Sequence, residues 1–296
     1  MKATIEATSD SDAKPSDSQT GEVLREWRES AFYWQKHAST IRTMFGPVTQ
    51  ALIEDMRLIE GDKVLDVAGG AGEPSLTIAE IVGPTGSVTC TDVTAEMVAA
   101  AQSEAQQRGA TNVAFRQCAA DSLPFESQSF DAVVCRLGAM FFPDPVAALR
   151  QMLRVTKHES VIALAVWGKS ELNPFFSAIT NVVTRYFEVA GEDDPNAPGA
   201  FRFAEPGSLA RIIAEAGAVD VKEHMLKFHI SAAISLKQFW EVRSETSRKL
   251  REMLATLSAS QADLLAREAK RAVREFFSNG QMNIPAQMII VTGHKP

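Results

Sequence analysis

A run of small residues, Ala68-Gly69-Gly70-Ala71-Gly72, follows the apolar stretch 64–67 and leads into a helical pattern that opens at Glu73-Pro74. Glycines at such a turn let backbone N–H groups approach a ligand closely, and the helix start beyond it favours negative charge. Two carboxylates bracket the turn. Asp66 stands two residues before it, and Asp92 ends the next apolar run, twenty positions after Gly72. A small-residue turn between an apolar strand and a helix, with an acid at the tip of the next strand, is a pattern that holds a nucleoside-containing cofactor.

Three cofactors can be set against it. A nucleoside triphosphate needs GxxxxGK[ST], and no Lys follows Gly72, so that chemistry is excluded. A nicotinamide dinucleotide needs GxGxxG/A with an acid about 20 residues on; Gly70, Gly72 and Asp92 come close, while Ser75 stands where Gly or Ala should be. Glu73 also places a carboxylate where a pyrophosphate belongs, which is repulsive. S-adenosylmethionine has no phosphate and carries a positive sulfonium, which removes that conflict. Asp66 could serve its ammonium group and Asp92 its two ribose hydroxyls. On the loop alone the dinucleotide and S-adenosylmethionine both stay open.

Such a turn needs a sheet to carry it. Compact apolar runs at 64–67, 87–91, 113–116, 130–135 and 160–167 alternate with helical patterns, and continuous apolar strands suit a sheet buried on both faces. Val146, Leu149 and Leu153 make one inward stripe after Pro145; Leu209, Ile212, Ile213 and Ala216 make another before Gly217. Repeated strand–helix alternation predicts an α/β fold with a doubly wound, mostly parallel sheet. Strand candidates at 219–230 and 287–293 bring it to seven. Two helices are expected between them, around 236–279, as a lid or a dimer surface. The polar, Ser- and Asp-rich segment 1–21 reads as a disordered tail, 22–60 as an N-terminal helical cap, and 61–296 as the main domain with lid segments at about 173–203 and 236–279.

The segments "VLDVAGGAGEPSLTIA", "GSVTCTDVTAEMVAAA", "CAADSLPFESQSFDAVVCRLGAMFFPDPVAALRQMLRV" and "VIALAVWG", in this order and spacing, resemble a class I S-adenosylmethionine-dependent methyltransferase. Within that superfamily the chain is most similar to small-molecule enzymes of the quinone-biosynthesis kind. The resemblance covers about 22 to the C-terminus and is strongest over 63–168. It implies the seven-stranded Rossmann-like fold, S-adenosyl-L-methionine as cofactor, and methyl transfer by in-line displacement. It also implies roles. Asp66, Ala68, Gly70 and Gly72 would line the methionine part, Asp92 would take the ribose hydroxyls, and Val93 and Met97 would pack near the adenine. Asp121 would accept from the adenine amino group with Ser122 beside it. Arg136, Leu137 and Phe141 would line the junction of cofactor and acceptor. Two departures stand out: Ala68 replaces the usual first glycine, which requires a φ below zero to be unstrained, and Lys157-His158-Glu159-Ser160 replaces the usual Pro-Gly-Gly turn.

For a general base, His37 is the candidate, on the helix that carries Tyr33 one turn earlier. Acceptor specificity is expected from Tyr33, Phe141, Trp167, Phe175, Arg202 and Trp240, with Trp34 and Phe142 as further aromatic walls. These suit a small, apolar or aromatic acceptor, with Arg202 meeting a carboxylate or phenolate. Two other functions fit the same turn: an NAD(P)-dependent oxidoreductase, and a methyltransferase-fold protein that binds cofactor without catalysis.

The remaining composition bounds the partners. Thirty Lys and Arg against 37 Asp and Glu give a net charge of −7, without the basic stripe that nucleic acid requires. No apolar run approaches the ~20 residues of a membrane span. Cys90, Cys118 and Cys135 are widely and irregularly spaced, so neither a metal site nor a disulfide framework is expected. A cytoplasmic protein that forms a homodimer around a small-molecule acceptor is the resulting expectation.

Overall fold

The computed structural model describes residues 17–187 and 196–296. Most of the segment read as a disordered tail, and part of the first lid segment, lie outside the described residues. Helix α1 (Asp17–Lys36) begins inside that segment, earlier than expected, and α2 (Ala38–Met56) follows after a single-residue break at His37. These two helices form the cap. The sheet then begins with β1 (Lys63–Val67), α3 (Ser75–Val82), β2 (Ser87–Asp92), α4 (Ala95–Arg108) and β3 (Val113–Gln117). The chain returns to the centre as β4 (Phe130–Arg136), α5 (Pro145–Val155) and β5 (Thr156–Trp167), followed by α6 (Pro174–Val183), α7 (Ser208–Glu215) and β6 (Val219–Ala232). The insertion holds three helices rather than two: α8 (Leu236–Thr246), α9 (Arg248–Ala255) and α10 (Ala259–Ala272). Ser247 and Ser258 divide them, each accepting the backbone N–H of a residue three positions on, at the start of the next helix. A two-residue strand β7 (Phe277–Ser278) turns into the long β8 (Gln281–His294).

The strand order is β3-β2-β1-β4-β5-β8-β6, with β7 paired to β8. All neighbours from β3 to β5 run parallel, and β8 runs antiparallel to both β5 and β6. The expected mostly parallel, doubly wound sheet is present, with the two-residue β7 as an eighth strand. The chain winds outward from β1 through β2 to β3, then crosses back to β4. The order therefore reverses beside β1, which opens a crevice beyond the carboxyl ends of β1, β2 and β4. The core fills both faces: Leu65, Val133, Val134 and Leu164 are fully buried in the strands, against Leu149 and Met152 of α5 and Met44 and Leu52 of α2. Val146, expected in the inward stripe of α5, is only half-buried; Ala148, Leu149, Met152 and Leu153 form that face.

The Lys157–Ser160 stretch is not a turn. Extended backbone starts at Thr156, directly after α5, and Glu159 takes a left-handed φ of 59° while its N–H donates to the Lys295 carbonyl at 3.0 Å. A C-terminal partner thus replaces the hydrogen bonds that a glycine turn would satisfy. Behind β5, the buried Asn173 ties the start of α6 to β8. Its Nδ2 donates to the carbonyls of Lys169 (2.9 Å) and Gln287 (3.1 Å), and its Oδ1 accepts from the Gln287 N–H at 2.9 Å. Asn173→Ala would leave the Gln287 N–H without its acceptor, while the Gln287 carbonyl keeps the Gly168 N–H at 3.0 Å, so a loss of about 1–3 kcal/mol in unfolding free energy is expected. Urea denaturation checks this, and a loss within ~0.5 kcal/mol would refute it.

Candidate cofactor and acceptor cleft

Each end of the small-residue turn is held by a carboxylate. Asp66, fully buried at the end of β1, accepts from the Ser75 N–H (3.1 Å) and the Ser75 hydroxyl (2.6 Å) through Oδ2, and so fixes the first turn of α3. Its Oδ1 has no partner among the described residues. Asp92, at the end of β2, accepts from the Gly70 N–H at 3.2 Å through Oδ2 and from the Thr94 N–H at 3.0 Å through Oδ1. Gly69 donates to the Thr91 carbonyl at 2.8 Å. A Cβ on Gly69 would stand 2.6 Å from Cys90 Sγ, so a side chain there is excluded by the neighbouring strand.

A cleft of about 290 Å³ opens above this turn, at the lower end of the roughly 300–1,000 Å³ typical of small-molecule sites. Its floor holds Ala68 to Ala71 and Glu73, Asp92, Val93 and Met97 after β2, Cys118 to Asp121 after β3, and Arg136 to Gly138 after β4. Its roof is the cap: Val23, Leu24, Trp27 and Trp34 from α1, and Ala38, Ile41, Arg42 and Phe45 from α2. Phe141 and Phe142 close one end. Trp27 meets Phe141 edge-on at 5.0 Å between centroids and Trp34 at 5.9 Å, so aromatic rings run continuously from floor to roof.

Of the residues expected to hold the cofactor, Ala68, Gly70, Asp92, Val93, Met97, Asp121, Arg136 and Leu137 line the cleft; Asp66, Gly72 and Ser122 do not. Asp66 lies beneath the turn, its Oδ2 engaged by Ser75. Gly72, at φ 107°, is packed on Leu76 and gives the chain its bend into α3. Ser122 is exposed beside Asp121. Arg136 reaches across the floor, donating to Thr49 Oγ1 of α2 at 2.8 Å and to the Glu73 carbonyl at 3.0 Å, which joins cap to turn. Glu73, expected as an uncompensated charge at the helix start, is instead paired with Arg108 and accepts from Thr77 Oγ1 at 2.7 Å. Its charge is neutralised locally, so the repulsion argument against a phosphate loses its force.

Most of the expected catalytic and acceptor residues lie elsewhere. His37 sits at the break between α1 and α2 with Nε2 2.6 Å from Glu245 Oε2, tying the cap to α8, and it does not line the cleft. Tyr33 lies under the Arg251 guanidinium, 4.6 Å from its ring centroid. Trp167 and Phe175 are buried behind the cleft in a cluster with Phe176, where Arg243 lies 4.5 Å from the Phe175 ring. Arg202 donates to the Phe142 carbonyl at 2.6 Å and so braces the cleft end from outside. Trp240 packs half-buried against the core of the insertion. Only Phe141 of that set, with the wall residues Trp34 and Phe142, faces the cleft. The residues missed were the cap stripes. Ala38, Ile41, Arg42 and Phe45 at i, i+3, i+4, i+7 are a legible helix face, but the charge of Arg42 hides it from a search for apolar periodicity.

Ala68 takes a φ of 60°, against the expectation that it stays below zero. The turn needs a left-handed residue there, and its neighbour across the floor is Gly138, where a Cβ would come within 2.6 Å of the Ala68 Cβ. A left-handed alanine costs about 1–2 kcal/mol, more than the chain entropy that a glycine adds to the unfolded state. Ala68→Gly should therefore raise stability by about 0.5–1 kcal/mol, and a fall in the denaturation midpoint would contradict this.

Burial pushes the Asp66 carboxyl from its ordinary 3.8 up to about 7, against the opposing pull of the Ser75 hydrogen bonds and the Arg136 charge. A carboxyl raised on folding holds its proton more tightly folded than unfolded, so stability falls as pH climbs from about 4 to about 7 and levels off above. Asp66→Asn keeps an acceptor for Ser75 and cannot ionise. Its Tm relative to the parent should rise, by on the order of 5 °C, between about pH 5 and about pH 8. A pH-independent difference would refute the assignment.

Comparison with known proteins bears on this cleft directly. A family model described as "Methyltransferase domain" matches residues 58–217, more than half of the chain. The ubiquinone/menaquinone biosynthesis C-methyltransferase UbiE of Cellvibrio japonicus is 41% identical over 106 residues, covering 36% of this chain and 43% of that protein. The uncharacterised methyltransferase YcgJ of Bacillus subtilis is 42% identical over 97 residues, covering 33% and 37%. The chain thus spans under half the length of these curated relatives. Among solved structures, the Bacillus subtilis YcgJ protein matches with a TM-score of 0.53 at 22% identity, over 83% of this chain and 97% of that one. The [4+2]-cyclase SpnF matches with a TM-score of 0.53 at 18% identity, over 91% of this chain and 97% of its own. These two share the fold. With the matched region spanning the turn, Asp92, Asp121 and β4, the chain belongs to the methyltransferase-domain family, as a class I S-adenosylmethionine-dependent member.

Proposed function

We propose that this protein binds S-adenosylmethionine in the cleft and passes its methyl group to a small apolar or aromatic acceptor by in-line displacement. The observation that supports this most is the convergence of Asp92, Asp121 and the small-residue turn on one floor, beneath a roof that is almost wholly apolar. The floor suits the group. Burial raises the Asp92 carboxyl against the Thr94 and Gly70 hydrogen bonds that oppose it, so further donors such as a pair of ribose hydroxyls would be well received there. Val93 and Met97 offer an apolar face to a base, with Asp121 at its edge. A Cβ built on Gly70 meets nothing within 4 Å, leaving room above the backbone for the methionine part.

When bound, the cofactor supplies an electrophilic methyl group on a sulfonium. The chain's own work is alignment and exclusion of water. Asp66 acts from beneath by fixing the turn through Ser75, and Gly72 by bending it. Leu137, with φ 64° and its N–H on the Ala165 carbonyl at 2.9 Å, is held rigidly where cofactor and acceptor would meet. Trp27, Trp34 and Phe141 close over that point, where aromatic faces attract a cation.

S-adenosylhomocysteine should stabilise the chain in a thermal-shift assay, by ~2.7 kcal/mol at a hundredfold excess over Kd, while NAD(H) and NADP(H) should not. Asp92→Ala should weaken S-adenosylhomocysteine binding about tenfold or more, through loss of charge-assisted hydrogen bonds. Stabilisation by a dinucleotide alone would overturn the proposal. One observation favours a second reading, binding without transfer: a protein named as a [4+2]-cyclase shares this fold over 91% of the chain. Tight S-adenosylhomocysteine binding without methylation of any phenol, quinol or amine would support it.

A further inference from the structure

We propose that the acceptor is a planar apolar molecule carrying an anionic oxygen, and that Arg42 is the residue that selects it. This assignment rests on the cleft being the S-adenosylmethionine site. The floor supplies the carboxylates and the backbone groups that such a cofactor needs, which leaves the roof to meet the acceptor. The roof is chemically one-sided. Its cleft-facing side chains offer N–H donors from Trp27, Trp34 and Arg42, and none offers a side-chain hydrogen-bond acceptor. A ligand seated there must bring the accepting oxygen itself.

Arg42 is the position that turns this into a preference for charge. It fills the third place of a helix stripe whose other members, Ala38, Ile41 and Phe45, are apolar. Its guanidinium makes no hydrogen bond or ion pair among the described residues. The other cation on the cleft wall, Arg136, is already engaged by Thr49 and the Glu73 carbonyl. Arg202, on which the sequence placed this role, is turned onto the Phe142 carbonyl outside. Arg243 lies over Phe175 and Phe176, behind the wall. On α1, Trp34 Nε1 is shielded from solvent without an acceptor among the described residues, a costly state for an indole N–H that an incoming oxygen would relieve. The rings of Trp27, Trp34, Phe45 and Phe141 bound the same space, and their faces favour a flat apolar body. An aromatic carboxylate meets all of these conditions. The roof lies in residues 23–45, outside the 58–217 match to the family, so this preference belongs to this chain rather than to the shared domain.

The test uses the full chain saturated with S-adenosylhomocysteine and matched aromatic acids and amides, 3,4-dihydroxybenzoate against 3,4-dihydroxybenzamide and indole-2-carboxylate against its amide. Calorimetric titration of the parent should show the acids binding about tenfold or more tightly than the amides, the scale of a charge-assisted hydrogen bond at a partly exposed mouth. Arg42→Gln should abolish the difference and Arg42→Lys should keep part of it, with S-adenosylhomocysteine affinity unchanged in both. Equal affinity of acid and amide in the parent, no binding of either class to the loaded chain, or an acid preference that survives Arg42→Gln would each overturn the assignment. Failure of S-adenosylhomocysteine itself to bind the parent would instead remove the cofactor site on which it rests, and the assignment with it.

Discussion

Two buried carboxylates on adjacent strands hold the turn that everything else in the cleft is measured from. Asp66 grips the start of α3 through both donors of Ser75, and Asp92 grips the middle of the turn through Gly70 while Thr94 holds its other oxygen. Burial opposes ionisation of both acids, so each is kept only because backbone and hydroxyl donors offset part of that cost. The division of labour follows from position. Asp66 lies beneath the turn with only Oδ2 engaged, by Ser75, whereas Asp92, held through both oxygens, reaches the cleft wall.

The cap is attached by different physics. Apolar residues of α2 bury against β4, β5 and β6, α1 packs on α4 and α8, and ion pairs at the edges fix their orientation: Lys36 and His37 on Glu245, Arg28 on Glu96, and Arg248 on Glu29. Exposed pairs of this kind are each worth about 1 kcal/mol or less, so the cap's place depends chiefly on apolar contact and on Arg136, whose guanidinium spans from Thr49 to the turn. The strands pair with one another and not with the cap, so their hydrogen bonding does not depend on the roof.

The sheet was legible because its strands are continuous apolar runs and its helices carry regular stripes; Gly70 and Asp92 were legible by type and spacing and Asp121 by the family resemblance, and all three line the cleft. The acceptor side was not. Trp167, Phe175 and Trp240 are aromatic residues near strand ends or in an insertion, and the same chemistry that suits a pocket wall suits a packed core, which is where they lie. His37 shares a helix face with the cap but caps a helix break, and its partner Glu245 is 208 residues away, a pairing that no local pattern reveals. Ala68 is the clearest limit: its left-handed backbone is set by the path from β1 into α3, not by its own preference.

The central claim is that Asp92 faces a ribose across this floor, and a crystal structure of the chain with S-adenosylhomocysteine measures it directly. Both ribose hydroxyls should lie at roughly 2.6–3.0 Å from the Asp92 carboxylate, with the sulfur beside Leu137 under the Trp27–Phe141 pair. Density for the ligand outside this cleft, or a ribose turned away from Asp92, would contradict the account.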